Sequence, residues 1–426
     1  MRYRFFYWWV KIAIRVFFKN IQVIGNEQIA KRTPVIFALN HQNSLLDALV
    51  VAVSVKEPVH FMTRADVFKR KKFARFLKSL NLIPIYRIRD GYSAVSQNEE
   101  VINHCIDLLR QNKHILIFPE GSHNYQRHLR PLKKGIARIA VDAVLKNGAD
   151  VHVIPVGINY GSHKHSRSWL SIQIGTPISS LHSLMLFDNH KAKAENDLMV
   201  KIESGLKNQM VNFEEITNYE EVNDIAKLVL QHTECTSRNY FNKHREIVKI
   251  INSKSKTEIS PCLEQIVDYR ELCKKHKIKR SMMGKASIKS SILLSLFSLL
   301  LLPVVFPGKL VFFPPLWSYR QLIKNFKDKH WEASIKVVAI MVLYPLWILL
   351  LFMVCALFTH NLMLLLLLMG GMIFSGAILV LSKNNIEQTL FLLKMRRMKR
   401  TCLNDYMAIM NLEIGILNAI KLKTSP

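Results

Sequence analysis

Residues 35–47 read VIFALNHQNSLLD, and this stretch decides the fold class. Its apolar half, Val35 to Leu39, runs without interruption into the polar residues Asn40 and His41. A short continuous apolar run that ends in polar residues is typical of a strand buried on both faces, as in a parallel sheet. Further runs of this kind occur at residues 82–86, 114–118, 151–158 and 170–174, and helical patterns at residues 99–111 and 135–145 alternate with them. This alternation predicts an α/β domain with a mixed, mostly parallel sheet and surrounding helices.

The end of the first strand carries a candidate catalytic pair. Asn40 and His41 follow the strand, and Asp47 comes within the next two helical turns. A carboxylate beside a histidine fixes the imidazole tautomer and stabilises the imidazolium, which is what a general base needs. We expect Ser44 to cap the helix that presents Asp47. The alternative is a histidine and an aspartate that only cap a helix.

A second strand end carries a candidate anion-binding residue. The apolar run at residues 82–86 ends at Arg87, whose rigid guanidinium offers several donors to a phosphate. The basic run Lys69–Lys72 lies shortly before this strand, and we expect it to face a membrane surface or an acidic partner.

A third strand end and the helix start after it supply further candidates. The strand at 114–118 runs through a proline into Glu120, Gly121 and Ser122, at the position where α/β sheets bind ligands. Gly121 allows a close approach of the backbone to a polar group. Lys133 and Lys134 precede a helix start and suit an anion there.

Four short blocks together resemble the glycerolipid acyltransferase family, the PlsC-like 1-acylglycerol-3-phosphate O-acyltransferases. In the family's order they are His41 to Asp47, NLIPIYR at 81–87, FPEG at 118–121 and IPV at 154–156. The proline of the last block, Pro155, predicts an edge strand or a bend. The resemblance covers about residues 20 to 200.

The resemblance implies a specific reaction. His41 would deprotonate an acceptor hydroxyl, Asp47 would orient His41, and the hydroxyl would attack the thioester of acyl-CoA or of an acyl carrier protein. Arg87, Glu120 and Gly121 would position the phosphate and polar groups of the acceptor. Beyond the thioester co-substrate, the resemblance implies no cofactor and no metal.

The chain departs from the family pattern at three places. Five residues separate His41 from Asp47, one more than usual, which turns Asp47 by about 100° on a helix unless the turn before it absorbs the extra residue. Asn81 stands where the family has glycine. The third block continues with Ser122, His123 and Asn124 in place of Thr-Arg-Ser.

The composition excludes several classes of protein. With 50% hydrophobic residues the chain is not disordered, and its six cysteines form no C-x-x-C pair of the kind that binds zinc. Sixty Lys and Arg against 31 Asp and Glu give a net charge of +29, which suits anionic lipid, nucleic acid or an acidic carrier. Because the basic residues cluster beside apolar segments and no nucleic-acid motif occurs, we expect no nucleic-acid partner.

The C-terminal part has the pattern of a membrane protein. Residues 335–358 and 362–382 are each long and apolar enough to cross a bilayer core of about 30 Å. Residues 290–317 predict a helical hairpin that turns at Pro307–Lys309. Lys and Arg are concentrated at 320–336 and 383–400 and absent from 359–361, so the positive-inside rule places the catalytic domain on the cytoplasmic face.

These patterns together predict an integral membrane O-acyltransferase of phospholipid biosynthesis that acts on a lysophosphatidic acid-like acceptor, with membrane phospholipid as a further partner. The alternatives are a glycerol-3-phosphate or lysophospholipid-remodelling acyltransferase and, in another class, a non-catalytic lipid-binding or scaffold protein. Residues 1–20 predict an interfacial amphipathic helix, or else a helix packed on the domain's own surface. The remaining predicted regions are the acyltransferase domain at 21–205, a charged helical region at 206–286, the transmembrane region at 287–382 and a basic cytoplasmic helical tail at 383–426.

Overall fold

The structure, a computed structural model, describes residues 2–29, 33–55, 57–86, 98–233, 235–236, 239–278, 302–325 and 331–420. The chain forms two compact units. The first unit comprises Met1–Asn212 and Phe326–Met341, and the second comprises Phe213–Asn325 and Val342–Pro426.

An eight-stranded sheet lies at the centre of the first unit. Its strands are β1 (Asn20–Ile24), β2 (Val35–Leu39), β3 (Val59–Arg64), β4 (Leu82–Ile85), β5 (His114–Ile117), β6 (His152–Tyr160), β7 (Trp169–Ile174) and β8 (Ile178–Ser179). The strand order is β1-β7-β6-β2-β5-β3-β4, and β8 pairs with β6. The pairs of β6 with β7 and with β8 are antiparallel, while the other pairs are parallel. The prediction of a mixed, mostly parallel sheet with surrounding helices is therefore confirmed.

The predicted edge position of the Pro155 strand is wrong. β6 has partners on both sides, since Pro155 lies opposite Ala38 of β2, and β7 and β8 pair along its other side. On that other side β8 pairs with β6 up to Val153 and β7 begins at Val156, so Pro155 falls in the gap between them. A residue without a backbone N–H is tolerated there because no ladder bond is lost.

Helices cover both faces of the sheet. In chain order those of the first unit are α1 (Arg2–Phe17), α2 (Leu45–Ala52), α3 (Lys71–Ser79), α4 (Asn98–Arg110), α5 (Gly135–Asn147), α6 (Ser180–Met185) and α7 (Lys191–Gln209). In β2, Ile36 and Ala38 enter the core on the face of α4, α5 and α7, whereas Val35, Phe37 and Leu39 enter the core on the face of α1 and α2. This alternation explains why β2 is apolar at every position.

Helix α1 has two contrasting sides. Residues on one side are buried in the core on the α1 and α2 face of the sheet: Val10, Ala13, Ile14 and Phe17. Large apolar residues on the other side are exposed: Phe5, Trp8, Ile12 and Val16. Helix α1 therefore packs on its own domain with one side, as the alternative prediction has it, and the interfacial position stays a prediction.

The second unit contains helices α8 (Tyr219–His232), α9 (Tyr240–Asn252), α10 (Lys256–Lys275), α11 (Leu302–Val311), α12 (Phe313–Asn325), α14 (Leu362–Thr401) and α15 (Leu403–Ala419). Helix α13 (Glu332–Phe358) begins in the first unit and ends in the second. Within the second unit, Arg270 of α10 forms ion pairs with Glu221 and Asp224 of α8, and His232 of α8 pairs with Glu413 of α15.

Among the described residues, α13 is the one helix long and apolar enough to cross a membrane, and α14 begins with a shorter apolar stretch, Leu362–Gly376. The predicted turn at Pro307–Lys309 is wrong, because α11 continues through these residues and ends at Val311. Gly308 faces Ser375 of α14 so closely that a Cβ atom would not fit, so glycine permits this close packing of the two helices. Residues 290–301 of the predicted hairpin lie outside the described residues.

Candidate active site

The site is built at the carboxyl end of β2. Asn40, the first residue after the strand, is fully buried, and its side chain bonds both backbone groups of Ile158 in β6, with Asn40 Nδ2 donating to the carbonyl at 3.1 Å and Ile158 N donating to Oδ1 at 2.7 Å. These two hydrogen bonds to the neighbouring strand fix the backbone from which His41 projects.

The structure brings the predicted catalytic pair together. His41 Nδ1 lies 2.8 Å from Asp47 Oδ2, and the same carboxylate oxygen accepts hydrogen bonds from the backbone N–H groups of Gln42 and Asn43, each at 2.7 Å. Asp47 Oδ1 accepts a hydrogen bond from the Tyr160 hydroxyl at 2.6 Å. Asp47 is fully buried. A buried carboxylate with this many donors is held in one orientation.

The turn before α2 absorbs the extra residue between His41 and Asp47. Ser44 has φ 50° and ψ −128°, a conformation that L-residues rarely adopt and that reverses the chain within one residue. With this turn, α2 begins at Leu45 and directs Asp47 at His41 across five intervening residues. The predicted cap is wrong, because the Ser44 side chain makes no capping bond. The N–H of Leu46 donates to the Asn43 carbonyl and to Ser334 Oγ, each at 3.1 Å.

A second polar turn follows β5 and contacts the first. Glu120 Oε1 accepts a hydrogen bond from the backbone N–H of His41 at 2.6 Å, and Glu120 Oε2 accepts one from Arg130 Nε at 2.8 Å. Burial raises the pKa of Glu120 above its ordinary value, and the nearby Arg130 guanidinium opposes that rise. The His41 ring stacks on Phe118 with 4.0 Å between ring centroids.

A known family matches the part of the chain that holds both turns. The acyltransferase family model matches residues 20–159. A chloroplastic 1-acyl-sn-glycerol-3-phosphate acyltransferase from Brassica napus is 28% identical over 149 residues, which is 35% of this chain and 39% of that protein. Residues 20–159 are thus similar to glycerolipid acyltransferases.

Other relatives match the same acyltransferase domain. A glycerol-3-phosphate O-acyltransferase from Saccharomyces cerevisiae is 28% identical over 143 residues, 33% of this chain and 19% of that protein. A 1-acyl-sn-glycerol-3-phosphate acyltransferase from Bacillus subtilis is 25% identical over 122 residues, 28% of this chain and 56% of that protein. The match therefore spans about two fifths of the plant relative and just over half of the bacterial one.

The chain was also compared with solved structures. The 1-acyl-sn-glycerophosphate acyltransferase PlsC from Thermotoga maritima aligns with a TM-score of 0.34 at 19% identity, over 47% of this chain and 78% of that one.

The predicted substrate-binding residues of the acyltransferase domain fall into separate groups. Gly121, with φ 72°, and Ser122 are exposed beside Glu120. The backbone of Lys133 bonds the Pro119 carbonyl at 2.7 Å, so Lys133 belongs to this turn. The Lys134 ammonium instead bonds Asn196 of α7 at 2.9 Å, and Arg87 lies outside the described residues.

Three residues of the acyltransferase domain complete the site without having been predicted. Asn40 followed the strand directly, so its position next to His41 was a signal that could have been used. Tyr160, at the end of β6, had no local signal, because it bonds Asp47 across 113 positions. Arg130, in the loop before α5, lies only ten positions from Glu120, but no motif in the sequence marks it. Arg130 also donates to Ser122 Oγ at 2.7 Å and to the Ser122 carbonyl.

A second ring, besides Phe118, contacts His41. His123, which stands where the family motif has arginine, lies edge-on to His41 with 5.5 Å between ring centroids. Trp331, just before α13, lies edge-on to His123 at 6.3 Å. In the described part of the chain, no group of three or more His, Cys, Asp or Glu residues is placed to hold a metal ion.

Proposed function

We propose that this protein is a membrane-bound O-acyltransferase that transfers a fatty acyl group from a thioester donor to the hydroxyl of a lysophosphatidic acid-like glycerolipid. The observation that carries the proposal is the 2.8 Å contact between His41 Nδ1 and the buried Asp47 carboxylate. A histidine whose Nδ1–H is held by a carboxylate has its Nε2 lone pair available for a proton.

The proposed reaction needs one proton transfer in each direction. His41 Nε2 takes the proton of the acceptor hydroxyl as the oxygen attacks the thioester carbonyl carbon. The C–O bond forms, the C–S bond breaks, and the imidazolium returns the proton to the leaving thiolate. Asp47 stabilises the imidazolium between these two steps.

Glu120 is a positioning residue in this proposal. Both of its carboxylate oxygens bond protein groups, namely the N–H of His41 and the guanidinium of Arg130. A carboxylate that holds the His41 backbone sets the direction of the imidazole. The exposed residues beside Glu120 are Gly121 and Ser122, and we propose that they meet the acceptor.

Two acceptors fit the family relationship. The plant and bacterial relatives are named as 1-acyl-sn-glycerol-3-phosphate acyltransferases, and the yeast relative as a glycerol-3-phosphate O-acyltransferase. Both acceptors carry a free hydroxyl and a phosphomonoester, which suits the basic character of the chain. Glycerol-3-phosphate is therefore the second candidate acceptor.

The membrane location is supported by apolar surfaces at both ends of the chain. Helix α13 has 27 residues, or about 40 Å, and side chains such as Leu346, Leu350 and Leu357 are exposed along it. Next to α1 in the first unit, α3 carries exposed Lys71, Lys72, Arg75 and Lys78. Apolar side chains beside cations are the combination that binds an anionic lipid surface.

The deciding experiment compares purified full-length protein with its His41→Ala variant. Both are reconstituted in vesicles of phosphatidylethanolamine and phosphatidylglycerol and given labelled acyl-CoA or acyl carrier protein with lysophosphatidic acid or glycerol-3-phosphate. We expect transfer to lysophosphatidic acid that falls by about 10³-fold or more in His41→Ala. His104→Ala, an exposed histidine of α4, is the matched control and should keep its activity.

Three outcomes would change the proposal. Full activity in His41→Ala would remove the histidine as general base. Transfer to glycerol-3-phosphate alone would replace the acceptor. Wild-type protein that binds the vesicles and transfers nothing to either acceptor would favour a non-catalytic lipid-binding protein.

A further inference from the structure

Ser334 lies in the first turn of α13, far from the active-site motifs in sequence, yet its hydroxyl touches the turn between His41 and Asp47. Ser334 Oγ donates to the carbonyl of Asn43 at 3.1 Å and accepts from the N–H of Leu46 at 3.1 Å. The side chain is 1% exposed, so water does not compete for these bonds. One buried hydroxyl thus joins both sides of the residue with the positive φ angle, Ser44.

The two groups that Ser334 bonds lie on either side of the lengthened turn. They also bond each other, since the N–H of Leu46 donates to the Asn43 carbonyl at 3.1 Å, and the Ser44 side chain makes no capping bond. Ser334 therefore reinforces a turn that is already closed by one backbone hydrogen bond. The Asn43 carbonyl belongs to the peptide bond that joins Asn43 to the strained residue, Ser44. Holding a strained backbone requires surrounding contacts that determine its geometry, and here those contacts come from another part of the chain.

The surrounding segment is packed firmly enough to act as a support. Ala333 and Val337 of α13 are buried in the core on the α1 and α2 face of the sheet, together with Phe37 and Leu46. The Trp9 indole N–H donates to the Met341 carbonyl at 3.0 Å, and the Lys336 ammonium bonds the Lys164 carbonyl at 2.7 Å. The first turns of α13 are therefore part of the acyltransferase domain.

We propose that Ser334 is a positioning residue for acyl transfer, which holds the lengthened His41–Asp47 turn in the geometry that pairs the two side chains. It does not touch the reacting atoms. It acts through Asn43, whose N–H bonds Asp47 Oδ2, and through Leu46, the residue before Asp47. The proposal rests on the proposed function, since it assumes that His41 is the general base.

The test measures kcat and KM of full-length Ser334→Ala with lysophosphatidic acid and acyl-CoA in the same vesicles. We expect kcat to fall about tenfold while both KM values stay within about twofold, because the pair loses orientation and substrate contacts do not change. Hydrogen exchange should accelerate in the peptide that spans residues 42–50 and not in α4. Wild-type kcat in Ser334→Ala would overturn the proposal.

Two further variants separate positioning from general destabilisation. Ser54→Ala removes a hydroxyl near the other end of α2, which bonds only its own helix through the Val50 carbonyl at 2.6 Å, and should keep kcat within about twofold. Equal losses in the two alanine variants would contradict the proposal. Ser44→Gly relieves the strained φ angle, so Ser44→Gly combined with Ser334→Ala should recover most of the lost kcat. No recovery would also count against it.

If Ser334→Ala yields too little folded protein, Ser334→Cys replaces it, because the thiol has a similar size and bonds weakly. The same fall in kcat is expected, and wild-type kcat would again overturn the proposal. The His41→Ala result keeps the two proposals apart. Activity retained in His41→Ala contradicts the proposed function, whereas an inactive His41→Ala with an unaffected Ser334→Ala contradicts the role of Ser334 alone.

Discussion

The two polar turns of the active site follow neighbouring parallel strands, and they depart from the family pattern in opposite ways. The turn after β2 contains an additional backbone residue but keeps the histidine and the aspartate. The turn after β5 keeps its length and its Pro-Glu-Gly core but carries different side chains at Ser122, His123 and Asn124.

The comparison teaches that each departure is offset by bonds of a matching kind. The lengthened turn has a strained residue, Ser44, and the backbone groups on either side of it bond each other and the Ser334 hydroxyl. The altered turn has no strain of this kind outside its glycine, and Arg130 instead holds both Glu120 and Ser122. The additional residue in the first turn is thus offset by hydrogen bonds to its backbone groups, and the altered side chains of the second turn by hydrogen bonds from Arg130.

The largest effect is expected in the lengthened turn. Asp47→Asn preserves size but replaces the carboxylate that accepts from His41, so the imidazole loses its preferred tautomer and the imidazolium loses its partner. We expect kcat to fall about 10⁴-fold, as in other histidine–aspartate pairs, with unchanged vesicle binding. Asp150→Asn, at a half-buried position whose carboxylate caps the helix start at Leu181, is the control in the same assay. A fall of less than tenfold in Asp47→Asn would mean that the longer turn does not use the pair.

A smaller effect is expected in the turn after β5. Arg130→Ala removes the partner of the buried Glu120 and two bonds to Ser122, and we expect kcat/KM to fall about 10- to 100-fold because bonds to charged groups are at stake. Arg138→Ala removes an exposed pair with Asp142 on α5 and should change little. If the two variants behave alike, the guanidinium does not support this turn.

Tyr160→Phe tests the other oxygen of the Asp47 carboxylate. The hydroxyl is one of four groups that bond Asp47, and burial together with the Asp47 charge raises the pKa of Tyr160 well above its ordinary value, so it remains a donor. We expect kcat to fall about fivefold, since the three remaining bonds keep the carboxylate in place. Tyr240→Phe, on α9 of the second unit, serves as the control. A loss as large as that of Asp47→Asn would show that Tyr160 has a role beyond orientation.

The sheet could be predicted from sequence because its signal is local. The five consecutive apolar residues of β2 indicate a buried strand, and the helices that alternate with the strands indicate a parallel sheet. The polar residues that follow the strands indicate where the candidate site lies. The His41–Asp47 spacing left the pairing open, since the backbone angles at Ser44 cannot be read from residue types. The conformation of Asn81 was easier to predict. Asparagine stands where the family has glycine and has φ 62°, and it tolerates such positive φ angles better than most residues do.

The contacts that complete the site could not be predicted, because they join residues far apart in the chain. Tyr160 reaches Asp47 across 113 positions, and Ser334 reaches Asn43 across 291. Residue 334 lies in a segment whose composition indicates a membrane helix, so the sequence predicts no role for it in the candidate active site. Only tertiary packing shows that the first turns of α13 belong to the acyltransferase domain.

The smallest effect concerns the stability of the turn after β5. Because burial raises the pKa of Glu120 in the folded protein, the folded state binds a proton more tightly than the unfolded state does. Between the ordinary carboxyl pKa of about 4.3 and the raised value, the free energy of unfolding therefore falls as the pH rises. Asp and Glu residues with lowered pKa values, such as Asp197, contribute the opposite slope at lower pH.

Glu120→Gln removes this contribution. We expect the unfolding temperature of the full-length variant in detergent to depend less steeply on pH above about 4.3 than that of the wild type, while Glu203→Gln, an exposed partner of Lys207, keeps the wild-type dependence. An unchanged slope in Glu120→Gln would mean that Arg130 fully offsets the burial of the carboxylate. In that case the altered turn would be as well compensated electrostatically as the lengthened turn is by hydrogen bonds.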